Sequence, residues 1–188
     1  ADEPRLAALA TAVDEARGRA HAAVRAALDS PAHARFLLEL GARLQRLPGD
    51  GADAEPLAAF AARRLDRLHR KTLALAAAAV EGDPARLHAL CIGVKRLRYA
   101  LEFFAPLLPR GKTRRSLSRL GALQEDLGAL NDLVRAGPLL AECAGTAPAL
   151  REAAALVCGW HGPRRAVLRE LTFRRLRRLR KLKRFWRH

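Results

Sequence analysis

"LHALCIGVKRLRYALEFF", residues 87–104, decides how the chain is read. At about 100° per residue it wraps well as an α-helix. Leu90, Val94, Leu97, Leu101 and Phe104 then share one apolar stripe, continued by Leu108. His88, Cys91, Lys95, Arg98 and Glu102 form a second stripe directly beside it, with Tyr99 adjacent and Arg96 in the same basic turn. His88 and Lys95 lie two turns apart and nearly eclipsed. Cations at the edge of a buried face line a groove between helices. The same placement suits a helix flank with snorkelling cations and a locally satisfied histidine.

The preceding stretch repeats the theme. "ARRLDRLHRKTL", residues 62–73, puts Arg63, Arg64, Arg67, Arg70 and Lys71 on one face, interrupted by Asp66 alone. Two consecutive antiparallel helices of this kind make a combined basic wall, unless each face is merely solvated. The C-terminal segment is denser. Residues 164–188 hold twelve Lys or Arg against one Glu, a net of +11. Leu168, Leu171, Leu176, Leu179, Leu182 and Trp186 fall within one face, and Arg174, Arg177, Arg178, Arg180, Lys181 and Arg184 occupy the rest. Such a helix docks through its leucines and shows arginine to anything anionic. It also suits a membrane surface or a nucleic-acid duplex.

The whole chain points the same way. Its formal net charge is +16, with a pI of about 11.4. Solubility needs far less, so the surplus predicts an anionic partner. Arginine dominates, which favours forked contacts to phosphate oxygens. Three cysteines, Cys91, Cys143 and Cys158, are odd in number and widely spaced. That argues against a disulfide framework and for a reducing, cytoplasmic setting. The first residues lack the basic region and apolar core of a signal peptide. The longest apolar run, "LALAAAAV" at 73–80, is too short to span a bilayer. Methionine is absent, so the residues read as part of a longer protein.

Ala, Leu, Arg and Glu are strong helix formers and β-branched residues are few, so an all-α fold is expected. Ser30-Pro31 and Asp83-Pro84 each give an N-cap followed by proline at the first helical position. Thr113 and Thr146 are further cap candidates. Residues 47–56 read as a loop, "PRGK" (109–112) and "CAGTAP" (143–148) as connections, and "GWHGP" (159–163) as a break. The helices then fall at roughly 4–28, 31–47, 55–81, 84–108, 113–136, 147–159 and 163–186. Long helices with short joints predict antiparallel helical bundles with a basic groove.

Motifs for catalysis are missing. There is no Gly-rich phosphate loop, no paired histidines at metal spacing and no nucleophile motif. His88 and Cys91 offer two ligands on one turn, but no second pair completes a zinc site. Glu102 and Asp132 carry acid or base groups that nothing marks out. No cofactor and no catalytic role are expected.

"LHALCIGVKRLRYALEFFAPLL" followed by "LGALQEDLGALNDLVRAGPLL" resembles the CHAD domain, the conserved histidine α-helical domain. His88, Lys95, Arg96, Leu97, Arg98, Tyr99 and Glu102 match the family's first pattern. Leu123, Gln124, Leu127, Gly128, Asn131 and Asp132 match its second. The closing "RRLRKLKRFW" is similar to the family's ending. Cys91 departs from the pattern, which usually has Arg there. The family's earlier histidine motif is not found, since His21 and His33 lack the following basic turn. Residues 1–188 therefore read as one CHAD-like helical domain, its middle and C-terminal portion, without the N-terminal histidine-motif half. A second copy of the chain, as a homo-oligomer, would be one source of the missing wall.

The resemblance implies two helical bundles with a basic channel, binding of inorganic polyphosphate, and targeting to polyphosphate granules. Some members are fused to a triphosphate-handling tunnel domain, so a fused or separate polyphosphate-metabolising protein is an implied partner. The residues suit such a ligand. Polyphosphate carries about one charge per phosphate and no bases, so Lys and Arg along a groove suffice, with binding that falls steeply with salt. The expected contacts are Lys95, Arg96 and Arg98, backed by the 63–71 face and the C-terminal arginines. His88 would donate to a phosphate oxygen, more strongly when protonated, and adjacent phosphates favour that form. The alternative is a nucleic-acid binder using the Arg-rich C-terminal helix. Scarce aromatic surface weighs against single-strand recognition.

Overall fold

A computed structural model describes residues 4–47, 55–79, 83–179, 181–182 and 184–187. Among these the fold is all-α, with six α-helices and no strand. They are α1 (Pro4–Leu28), α2 (Pro31–Gln45), α3 (Leu57–Ala78), α4 (Pro84–Phe103), α5 (Arg110–Ala144) and α6 (Pro148–Leu179), with a 3₁₀ turn at Ala105–Leu107.

Two expected caps are present. The Ser30 hydroxyl accepts from the His33 N–H at 3.2 Å, and Asp83 accepts from the Ala85 and Arg86 N–H groups. Each is followed by a proline whose missing N–H costs a helix start nothing. Most of the loop expected at 47–56, and the expected helix end at 81, lie outside the described residues. Three other expectations are corrected. Helix α5 begins at Arg110, not after a connection at 109–112, because the Thr113 N–H bonds back to the Pro109 carbonyl at 3.0 Å. Thr113 is thus no cap; it is buried, and its hydroxyl also donates to Pro109 O. The break expected at 159–163 does not occur, and α6 runs through Pro163 as α5 runs through Pro138. A helical proline orphans the carbonyl four residues back. For Pro163 that is Gly159, and both residues are exposed, so water can replace the lost donor.

The chain divides into two compact units. One comprises residues 1–54 and 137–158, the other 55–136 and 159–188. The first has a small core in which Leu9 of α1 packs with Ala144, Ala153 and Ala154. Helix α2 buries none of its residues, and Phe36, Leu37, Leu40 and Leu44 remain exposed.

The second unit holds the larger core. Leu65 of α3, Leu90, Leu97 and Leu101 of α4, and Leu120 and Leu127 of α5 are almost wholly buried together. Leu176, Leu179, Phe185 and Trp186 close it from the C-terminal side. The apolar stripe expected on α4 is the buried face observed, with Leu108 half-buried at its end. Helices α3 and α4 are antiparallel, for Phe60 meets Phe104 while Thr72 meets Gly93. The Thr72 hydroxyl bonds to Leu68 O at 2.8 Å and lies 3.2 Å from Gly93 O.

Gly93 is where the two helices approach most demandingly. A Cβ there would lie 2.8 Å from Leu75 Cδ1. Leu75 can swing its terminal methyl away, and alanine gains about 1 kcal/mol of helix propensity, so Gly93→Ala should be nearly neutral. Gly93→Leu forces the helices apart and should cost about 2 kcal/mol. Urea unfolding of the pair checks the difference.

Candidate anion-binding site

The expected cations do sit on helix edges, but on several seams of the second unit. Helix α4 presents its second stripe to α5. Arg98 Nε donates to Gln124 Oε1 at 2.9 Å, and its NH1 donates to Glu102 Oε1 at 2.6 Å. Arg98 is partly buried, whereas Lys95 and His88 are exposed. Tyr99 supports both cations from one side, with Arg98 Cζ 4.8 Å and Lys95 Nζ 5.7 Å from its ring centre. These contacts fix Arg98 and leave Lys95 the freer charge. Burial pushes the neighbouring Cys91 thiol up, against the nearby Asn131 amide and the Lys95 charge, with Asp132 adding to the rise. Cys91 is therefore a neutral thiol within the stripe.

Lys71 and Arg96 meet elsewhere. They line a cavity of about 320 Å³ on the α3–α4 seam, above Thr72 and Gly93. A third group lies on the outer face of α3. Arg63, Arg64, Arg67, Arg70 and Arg187 line a second cavity of about 320 Å³, with Asp66 the single carboxylate. Arg63 is ion-paired with Glu55. On α6, Arg174 pairs with Glu170, and Arg177 lines a cavity with Arg169 beside α3. Arg178 and Lys181 face α5. His88, Lys95 and Arg98 thus share one edge, Lys71 and Arg96 another, and the remaining α3 arginines a third.

Asp66 is more than an interruption of the basic face. It is buried, and accepts from Trp186 Nε1 at 2.8 Å and from Arg187 Nε. Arg184 stands 4.0 Å away. Burial alone would raise its pKa, but the hydrogen bonds from Arg187 and Trp186 and the charges of Arg187 and Arg184 outweigh that and hold the carboxyl below its ordinary value. Asp66 latches the C-terminal segment onto α3 and so brings Arg187 to the α3 arginines. No spacing in the sequence links residues 120 apart, so this pairing was not legible there.

His69, one turn on, is buried with its ring edge-on to Trp186, centroids 5.5 Å apart. Desolvation and the Arg184 charge lower its pKa, opposed by Asp66. A base depressed in the fold adds stability above its unfolded pKa, near 6.5, and loses it as pH falls toward the folded value. Stability of the wild type should therefore drop as pH falls below about 6.5, before Asp66 begins to titrate. In His69→Gln this part of the pH dependence should flatten, which thermal melts across that range would reveal.

Sequence reasoning also missed Lys112, Arg115 and Arg119. They line the side of α5 facing Lys181 and Arg184. Their i, i+3, i+7 spacing was hidden because Pro109 and Gly111 made residues 109–112 look like a connection. Among the described residues no three His, Cys, Asp or Glu side chains group closely enough to hold a metal ion. No described helix is long and apolar enough to cross a membrane.

The sequence model described as the CHAD domain matches residues 1–141. The match begins at residue 1 and stops short of the basic ending, which corrects the expectation that the family's C-terminal portion closes this chain. No curated protein sequence matches the chain.

Proposed function

The chain belongs to the CHAD domain family, and from that premise we propose that it binds inorganic polyphosphate without transforming it. The observation that carries this reading is the imbalance of charge at the helix seams. In the α3 cavity five arginines meet one lining carboxylate, which is already bonded to Trp186 and Arg187, and among them Arg63 has a further carboxylate partner in Glu55. Lys71 and Arg96 converge on the neighbouring seam, lined by no carboxylate. Like charges held together along these grooves repel, and a flexible polyanion relieves them while releasing its own counter-ions.

Lys95, Arg98 and His88 form the α4 edge of this surface, with Arg98 pre-oriented by Gln124 and Glu102. The α3 residues Arg63, Arg64, Arg67 and Arg70, together with Lys71 and Arg96, extend it, and Arg174, Arg177 and Arg178 on α6 and Lys181 beyond its end add charge. The two units act as parts of one CHAD domain. Binding of this kind would bring the protein to cytoplasmic polyphosphate granules, and into contact with enzymes that make or degrade the polymer.

Competition tests the ligand class. Labelled long-chain polyphosphate is bound to the protein and challenged with duplex DNA at equal phosphate concentration. Polyphosphate should stay bound. Displacement by DNA would favour the nucleic-acid reading, and release of phosphate in the presence of Mg²⁺ would make the protein an enzyme.

A further inference from the structure

We propose a second polyphosphate track, on the edge where α5 meets the C-terminal segment, separate from the α4 edge. It rests on the reading of the protein as a polyphosphate binder. Two adjoining cavities define it, of about 510 and 420 Å³. They share Ser116, Arg119 and Leu182, so they form one continuous trough. Lys112, Arg115, Arg119, Lys181 and Arg184 line the first, and Arg178 lines the second. Neither is lined by a carboxylate.

The charges are available. Among the described residues Lys112, Arg115, Arg119, Arg178 and Lys181 make no ion pair, and all five are exposed. Arg175, by contrast, is tied to Asp126 at 3.1 Å and donates to Ala122 O, so it shapes the floor. Lys112 also falls in the first turn of α5, at the positive end of its dipole. Cations are disfavoured there unless an anion accompanies them.

The shape selects a chain. From Lys112 to Leu123 the trough follows α5 for about 16 Å at 1.5 Å per residue, too long for one phosphate. Its one aromatic lining residue, Phe185, is buried in the core and offers no face for a base to stack on. A run of linked phosphates fits this chemistry better than a single-stranded nucleic acid.

The test is a set of polyphosphate titrations at several salt concentrations. The variants are Lys112→Ala/Arg115→Ala/Arg119→Ala and, from the other wall, Arg178→Ala/Lys181→Ala, with Lys95→Ala/Arg98→Ala as the α4 reference. All the substituted trough positions are exposed, and circular dichroism confirms folding; should the α5 triple not fold, the Arg178/Lys181 pair carries the test. Either trough variant should bind at least tenfold more weakly at low salt. The triple should also flatten the slope of log K against log salt by about 2, for three lost contacts. If the folded trough variants bind like wild type while the α4 reference is weakened, the track is wrong and the polyphosphate reading stands. If no variant is weakened, both are wrong. A trough variant that loses duplex DNA binding more than polyphosphate binding would make the trough a nucleic-acid surface and overturn the proposal.

Discussion

Asp66→Ala should lower the unfolding free energy by about 3 kcal/mol and release the C-terminal segment from α3. The carboxylate accepts charge-assisted bonds from Trp186 Nε1 and Arg187, and such bonds contribute about 1.5–3 kcal/mol each. Arg187 is about half exposed, so its share is reduced by solvent. Trp186 is 4% exposed, and without Asp66 its buried N–H has no acceptor. Leaving that donor unsatisfied accounts for much of the loss. Asp66→Asn keeps an acceptor for Trp186 but loses the charge, and should cost roughly half as much. The pKa direction adds a second expectation. A depressed carboxyl contributes stability that is complete above its unfolded pKa, near 3.9, and disappears as pH falls through the folded value. Asp66 variants should thus differ least from wild type in strong acid. Tryptophan emission reads the latch, with Trp160→Phe as background because Trp160 is highly exposed. Unchanged Trp186 emission and unchanged urea midpoint in Asp66→Ala would show that the latch does not hold the segment.

The second large effect is on binding. Lys95→Ala/Arg98→Ala should weaken polyphosphate binding at least tenfold at low salt while leaving the helix content intact. Lys95 is exposed and touches only the Tyr99 ring in the described contacts, so its loss removes charge and little structure. Arg98 differs. It bridges Gln124 on α5 to Glu102, and removing it leaves a partly exposed carboxylate beside the stripe. That turns a neutral ion pair into a net negative charge, which repels the ligand as well as failing to bind it. Comparing the single variants separates these roles. Lys95→Ala should reduce affinity through electrostatics alone and vanish as an effect at high salt. Arg98→Ala should cost more and also slightly lower the melting temperature. Equal, salt-insensitive losses in both would mean that Arg98 acts only as structure.

Most of the helices were legible because their signals are local. Ser30-Pro31 and Asp83-Pro84 are caps with a stereochemical reason, and both stand where expected. The α4 stripe of Leu90, Val94, Leu97 and Leu101 needed only helical periodicity. Prolines misled where context outweighs propensity. Pro163 sits inside a helix whose exposed carbonyls can turn to water, and Pro109 directly precedes a helix that was expected to begin only at residue 113. The candidate site was legible as an inventory of cations more than as a place. A wheel identifies which edge of α3 or α4 carries charge, yet the neighbour of each edge depends on bundle order. Hence Lys71 meets Arg96, while Arg98 faces the α5 side. Asp66 reads as an interruption until Trp186 and Arg187, far along the chain, are folded onto it.

The central claim is that cations gathered from separate helices hold a chain of phosphates by charge. Long-chain polyphosphate titrated into the wild-type protein from about 50 to 500 mM salt tests it most directly. Six or more phosphate contacts predict a log–log slope of about −4 or steeper. Absence of binding at the lowest salt, or an affinity that barely changes across the series, would contradict it.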